Sequence, residues 1–253
     1  MLLLGFKKQK NKHKVLPRVK KVNDTLIQTA LENIDEANPD WTYAAARIYV
    51  GNLYKEAAAN RGYDESEKYG SFYHLIKMLT DEGIYTASFL EKYSKEEIDQ
   101  IGSLIVPDRD MLFNYLGIYT VATRYLATDH QKRVFELPQE RWLVIAMHLM
   151  QDEPKNKRIE YIQEAYWALS NLYMTVATPT LTNAGKTHGQ LSSCFIDTVD
   201  DSLQAIYDSN TDIAKLSKNG EESAFTWGKS VQEAVLLKDL KGCPAVLCHG
   251  LNN

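Results

Sequence analysis

No apolar run in these 253 residues approaches the ~20 needed to cross a bilayer as a helix. Met1-Leu-Leu-Leu-Gly-Phe6 is too short for a signal-peptide core and carries its lysines on the wrong side, so neither a membrane partner nor a secretory leader is expected. Cysteine is scarce. Cys194, Cys243 and Cys248 are read as thiols rather than a disulfide framework, and a cytoplasmic, reducing compartment follows. Cys243 and Cys248 lack a second pair or histidine cluster at zinc spacing, with His249 a lone companion, so no metal site is expected. Acid is absent from residues 1–21, which hold eight Lys/Arg; the net charge of −4 therefore leaves −12 on the remainder. Apart from Phe6 no aromatic is interleaved with that basic stretch, so a solvated, disordered arm over 1–22 is expected rather than a DNA-binding one.

What is present suits a soluble chain of one or two domains: 44% hydrophobic and 25% charged residues, without internal repeats. Residues 23–174 read as helix almost throughout. Leu26, Ala30 and Ile34 recur at helical spacing behind the cap candidates Asn23 and Asp24, in a segment that stops before Pro39. Asp40 can cap the next helix, with Ala44, Ile48 and Tyr54 on one face. Ser94-Lys-Glu-Glu97 has the form of a capping box. Pro138 suits the first turn of a helix through Trp142, Ile145 and Leu149. A last long helix is expected over Arg158–Met174, burying Ile159, Ile162, Tyr166, Leu169 and Tyr173.

After Thr175 the text changes to short β-prone runs punctuated by Pro179, Gly185 and Gly189. A helix from Asp201 to Lys218 follows, opened by an acidic cap, which together reads as the start of an α/β domain. Strand alternation would place Ser192 and Cys194 on one face and Ser193 on the other, at a strand end. Thr178, sixteen residues before Cys194, could present its hydroxyl nearby from a paired strand. On composition alone an isolated cysteine is usually a small buried hydrophobe rather than a nucleophile.

The run Ala177-Thr-Pro-Thr-Leu-Thr-Asn-Ala-Gly185, followed by Gln190-Leu-Ser-Ser-Cys-Phe195, Asp201-Ser-Leu203 and Ser217-Lys-Asn-Gly220, resembles the active-site text of the ribonucleotide reductase large (alpha) subunit. Pro39-Asp-Trp-Thr-Tyr-Ala-Ala-Ala-Arg47 and Leu53-Tyr-Lys-Glu56 resemble the helical N-terminal domain of its class I form. The resemblance implies a mainly α chain: a helical domain over 23–174, then over 175–220 the first strands and helix of an α/β ten-stranded barrel, truncated. It implies reduction of ribonucleoside diphosphates to deoxyribonucleotides by a protein radical and a cysteine pair. Cys194 matches one member of that redox pair, and a thiol suits the work because thiol–disulfide exchange regenerates it. Thr178, Ser193 and Cys194 match residues that contact the substrate ribose and diphosphate. Asp201 matches an aspartate that helps hold the dNTP effector, although backbone amides alone explain an acid at a helix start. The implied partners are a small (beta) subunit with a radical metallocofactor, thioredoxin or glutaredoxin as reductant, and a second alpha subunit. No cofactor is expected on this chain itself, and residues 1–22 are too few for the family's ATP cone.

From Glu221 the resemblance stops. Family members continue with glycines, as in GGGIGVYLGKVR, because backbone amides approach the substrate phosphates. Written in plausible codons, GGA GGA ATC GGC GTT TAC TTG GGG AAA becomes, after loss of one G, GAG GAA TCG GCG TTT ACT TGG GGA AA. That encodes Glu-Glu-Ser-Ala-Phe-Thr-Trp-Gly-Lys, the text of residues 221–229. Residues 221–253 are accordingly expected to be an out-of-frame tail. Trp227-Gly-Lys-Ser230 lacks the first glycine of a P-loop, and Glu222 stands where a bare backbone is needed. Inactivity of the chain alone is expected. The alternatives are a non-catalytic helical interaction module and a functionless frameshift product.

Overall fold

A computed structural model describes residues 21–129, 131–192, 194–218 and 222–227. Residues 1–20 of the expected basic arm and residues 228–253 lie outside them, while Lys21 and Val22 are helical rather than part of a disordered arm. The chain divides into two units, residues 1–188 and 189–253, and the first is helical.

Helix α1 (residues 21–32) packs through Ile27 and Ala30 onto Ala45 of α2 (Trp41–Arg61), with Leu31 and Ile48 half-buried at the contact. The face differs from the expected one, since Leu26 and Ile34 are exposed and Asn23 and Asp24 lie inside the helix rather than capping it. Asn23 donates its side-chain amide to Asn52 of α2, so a cross-helix partner takes the group expected to cap. Asp40 occupies the N-cap position of α2 without a side-chain cap bond; its own helical backbone (ψ −10°) turns the carboxylate from the free amides. Gly62 closes the helix at φ +75°.

Next come α3 (Phe72–Asp81), α4 (Ser88–Lys92), α5 (Lys95–Gly102) and α6 (Tyr115–Thr120), the last running into a π turn at Val121–Tyr125. The capping box is present at α5: Ser94 Oγ accepts the Glu97 amide at 3.2 Å, and Glu97 accepts the Ser94 amide at 2.8 Å. Helix α7 (Pro138–Leu149) starts on Pro138 as expected and is buried from Pro138 to Met147; only its end, with Leu149, reaches solvent. Helix α8 (Arg158–Ser170) buries Ile162, Tyr166 and Leu169 but stops four residues earlier than the apolar pattern suggested. Leu172 turns left-handed (φ +60°), and its neighbour Tyr173 is 73% exposed.

Two buried polar knots tie these helices together. Tyr54 (α2) and Tyr69 donate to Asp110 Oδ2, each at 2.6 Å, while Gln139 (α7) donates to Oδ1 at 2.7 Å and accepts Tyr166 (α8) at 2.9 Å. Burial pushes the Asp110 carboxyl up, and those three donors pull it back. In the second knot Arg61 pairs with Glu140 at 2.8 Å, both side chains fully buried, and also donates to the Ser71 carbonyl at 2.9 Å. Burial raises Glu140 to about 7 against the pull of Arg61. Buried charges persist only where partners replace water, and here each has several.

The second unit holds β1 (Cys194–Val199), α10 (Leu203–Lys218) and β2 (Glu222–Trp227), with the strands parallel and Cys194 in register with Glu222. Parallel strands need a crossover, and α10 supplies it. Among the described residues these two strands form the whole sheet.

Candidate functional site

Residues 177–188 are positioned by the helical unit. Thr178–Asn183 is a short helix, α9, rather than the strand expected from its β-branched residues, with Pro179 in the first turn where a missing N–H costs nothing. Its end is buried against α7. Arg141, wholly buried, donates from Nε to the Leu181 carbonyl at 2.9 Å and from Nη2 to the Ala184 carbonyl at 2.6 Å. These are carbonyls that a terminating helix leaves without intrahelical partners. The amides of Ala184 and Lys186 take the Thr180 and Asn183 carbonyls, at 3.1 and 2.9 Å.

From there the chain pairs with residues 83–86. Tyr85 and Lys186 form an antiparallel bridge; Thr86 N donates to the Gly185 carbonyl at 2.9 Å, and Thr187 N to that of Ile84 at 3.1 Å. Gly185 sits at φ +78°, and a Cβ there would lie 2.7 Å from the Phe89 ring and from Val144 Cγ1, so no other residue fits without displacement. Leu181 also lines an apolar cleft of about 620 Å3 with Phe113, Trp142, Leu169 and Tyr173.

The charges beneath this segment are matched closely. Glu136, fully buried, accepts Tyr85 Oη and the Ala127 amide, both at 2.6 Å, and lies 3.5 Å from Arg141 Nη1. Lys186 reaches the Tyr125 carbonyl at 3.4 Å; burial, with Arg141 adding to it, holds its ammonium down to about 8. Two cations and one carboxylate thus share a mostly dry pocket.

Over residues 111–189 the chain matches the family described as ribonucleotide reductase, all-alpha domain. It is 37% identical over 199 residues to the ribonucleoside-diphosphate reductase subunit alpha of Helicobacter pylori (strain ATCC 700392 / 26695), covering 79% of this chain and 24% of that protein. The chain belongs to the ribonucleotide reductase alpha-subunit family. Subunit alpha of Treponema pallidum (strain Nichols) is 36% identical over 204 residues, 81% of this chain and 24% of its own. The ribonucleoside-diphosphate reductase 1 subunit alpha of Escherichia coli (strain K12) is 29% identical over 195 residues, 77% of this chain and 25% of its own. The chain thus spans about a quarter of the length of the curated relatives it matches. The family match runs through Glu136, Arg141 and Gly185 and ends one residue past the helical unit.

Among the residues singled out from sequence, Thr178 is exposed at the start of α9 in the first unit. Cys194 opens β1 in the second unit, so it stands at a strand start, not the expected end. Ser193 lies outside the described residues. Asp201 is exposed and does not cap α10: the cap is Ser202, whose Oγ accepts the Ala205 amide at 3.1 Å. Asp197 on β1 instead accepts the hydroxyl of buried Ser209 on α10. Thr178 and Cys194 fall in different units. Among the described residues no three His, Cys, Asp or Glu side chains converge as metal ligands, and no helix is long and apolar enough to cross a membrane.

Arg141, Glu136 and Tyr85 carry no reductase text that sequence reading noticed. A signal was there: Glu136, Glu140 and Arg141 interrupt the apolar stretch from Val134 to Met147, and charges embedded in core text must be paired inside.

Proposed function

We propose that these residues are the N-terminal part of a class I ribonucleoside-diphosphate reductase alpha subunit, which reduces the ribose 2′-hydroxyl of nucleoside diphosphates. The observation that carries the reading is the 177–188 segment, whose text matches the family's substrate strand and whose every turn is anchored to a helical domain of that family. Thr178 and Ser193 contact the ribose and diphosphate, and Cys194 is one thiol of the pair that delivers two electrons and closes to a disulfide at each turnover. Asp201, exposed and free of a capping duty, is available to the dNTP effector. A small subunit supplies the radical, thioredoxin or glutaredoxin restores the thiols, and alpha subunits pair, in the cytoplasm. Residues 221–253 are out-of-frame text, and in the chain as written the reaction does not run. Pairing of β2 with β1 does not oppose this, since ladder hydrogen bonds are made by backbone that any sequence supplies.

The test is to resequence the locus at the Gly220 codon and to insert one G there. The expected result is an open frame through a glycine loop, and turnover of CDP or ADP with a class I small subunit that Cys194→Ser abolishes while substrate still binds. Turnover by the unmodified chain overturns the frame reading. Preserved turnover in Cys194→Ser with a thioredoxin reductant overturns the site. Absence of any downstream frame favours the helical interaction module.

A further inference from the structure

We propose that Arg141 is a positioning residue for substrate binding: its buried fork fixes the end of α9 and thereby sets where Thr178, at the other end of the same six-residue helix, meets the nucleotide. The proposal rests on the reductase reading above, which assigns Thr178 to substrate.

Three observations carry it. The guanidinium spans the Leu181 and Ala184 carbonyls at 2.9 and 2.6 Å, so one rigid planar group grips the helix end and the first residue beyond it. The guanidinium presents Nε and Nη2 to the two carbonyls in one fixed plane, a geometry that an ammonium on a flexible stem does not reproduce. Its Nη1 makes no hydrogen bond among the described residues and faces Glu136 at 3.5 Å, while Glu136 is itself held by Tyr85 and the Ala127 amide. The carboxylate therefore orients the fork from behind. Tyr85 also bridges backbone to Lys186, so carboxylate, fork and turn form one closed loop of contacts. Finally, six residues are too short to be stable as an isolated helix, so α9 depends on tertiary contacts, and the fork is added at its end to the burial of Thr180 and Leu181.

A loosened turn lowers the fraction of protein whose Thr178 is correctly set without altering the chemistry once substrate is bound. An affinity effect of this kind raises KM and leaves kcat. Arg141→Lys is the informative variant, because it keeps the buried charge beside Glu136 and loses one carbonyl bond.

Two measurements test it. In the 253-residue chain, hydrogen exchange at the Thr86, Ala184 and Lys186 amides should quicken about five- to tenfold in Arg141→Lys, the worth of about one net hydrogen bond. Exchange at the Ile98 amide of α5 should not change. In the frame-restored reductase, Arg141→Lys should raise KM for the nucleoside diphosphate by a similar factor with kcat within about twofold, and Thr178→Val combined with it should add little, since both act on one contact. Unchanged exchange overturns the clamp. Faster exchange with unchanged KM, or a fall in kcat alone, overturns the positioning role while leaving the reductase reading intact. A frame-restored wild type without turnover overturns the reductase reading, and the positioning role with it, whatever exchange shows.

Discussion

Gly185→Ala gives the sharpest stability test of this structure. Two independent penalties meet at that residue. At φ +78° an alanine Cβ crowds its own backbone, which costs about 1–2 kcal/mol. The same Cβ would stand 2.7 Å from two ring carbons of Phe89 and from Val144 Cγ1, and both neighbours are 0% exposed, so they cannot swing away into solvent. Overpacking of this kind costs about 1–3 kcal/mol. Together about 2–5 kcal/mol is expected, and at this size each kcal/mol lowers Tm by about 2–4 °C. Two glycines serve as controls. Gly62 has nearly the same φ, +75°, but nothing within 4 Å of its Cβ position, so Gly62→Ala should show the backbone penalty alone. Gly51 lies inside α2 with open space around it, and Gly51→Ala should stabilise by about 0.5–1 kcal/mol. Denaturant melts of the three variants, followed by tryptophan fluorescence, give the order directly. If Gly185→Ala costs no more than Gly62→Ala, the close packing of the turn against α4 and α7 is wrong.

Three further outcomes are expected. Tyr54→Phe removes one of the three donors to Asp110 and should cost about 1.5–3 kcal/mol; Asp110→Ala strands all three donors and should cost more, and the double variant should fall short of the sum in a denaturation cycle. Lys186 titrates at about 8 folded against 10.5 as the ordinary value, so between those pH values the unfolded chain binds more protons and stability should rise with pH; Lys186→Met should be more stable than wild type at pH 7 and should lack that rise, as melts from pH 7 to 10.5 would show. Limited proteolysis should leave a resistant fragment ending near residue 188, the limit of the first unit, and prompt cleavage inside α7 would refute that boundary.

How much of this could be read beforehand differs element by element. The Ser94–Glu97 box and the Pro138 start depend on residues within three positions of each other, and both stand as expected. The α8 end was missed because its apolar pattern runs on through Tyr173, whereas the backbone turns at Leu172; hydrophobic spacing reports which residues are apolar, not where helical geometry ends. The same limit applies to α1, where Ile27 rather than Leu26 faces α2. For α10, Asp201 and Ser202 are both acceptable caps by residue type, and backbone placement chose the serine.

The candidate site shows the division most clearly. Sequence by itself determined that the first part of the chain is mainly helical and that reductase-like text starts at Ala177 and includes Cys194, because residue identity and local spacing are linear properties. Only the tertiary structure decided that Thr178–Asn183 is helix. Its β-branched residues favour strand on their own, but a guanidinium forty residues away satisfies the carbonyls at its end, and a glycine at positive φ lets the chain turn against Phe89. Such contacts join residues that no local window contains, and the desolvation they relieve exists only once the core around them has closed.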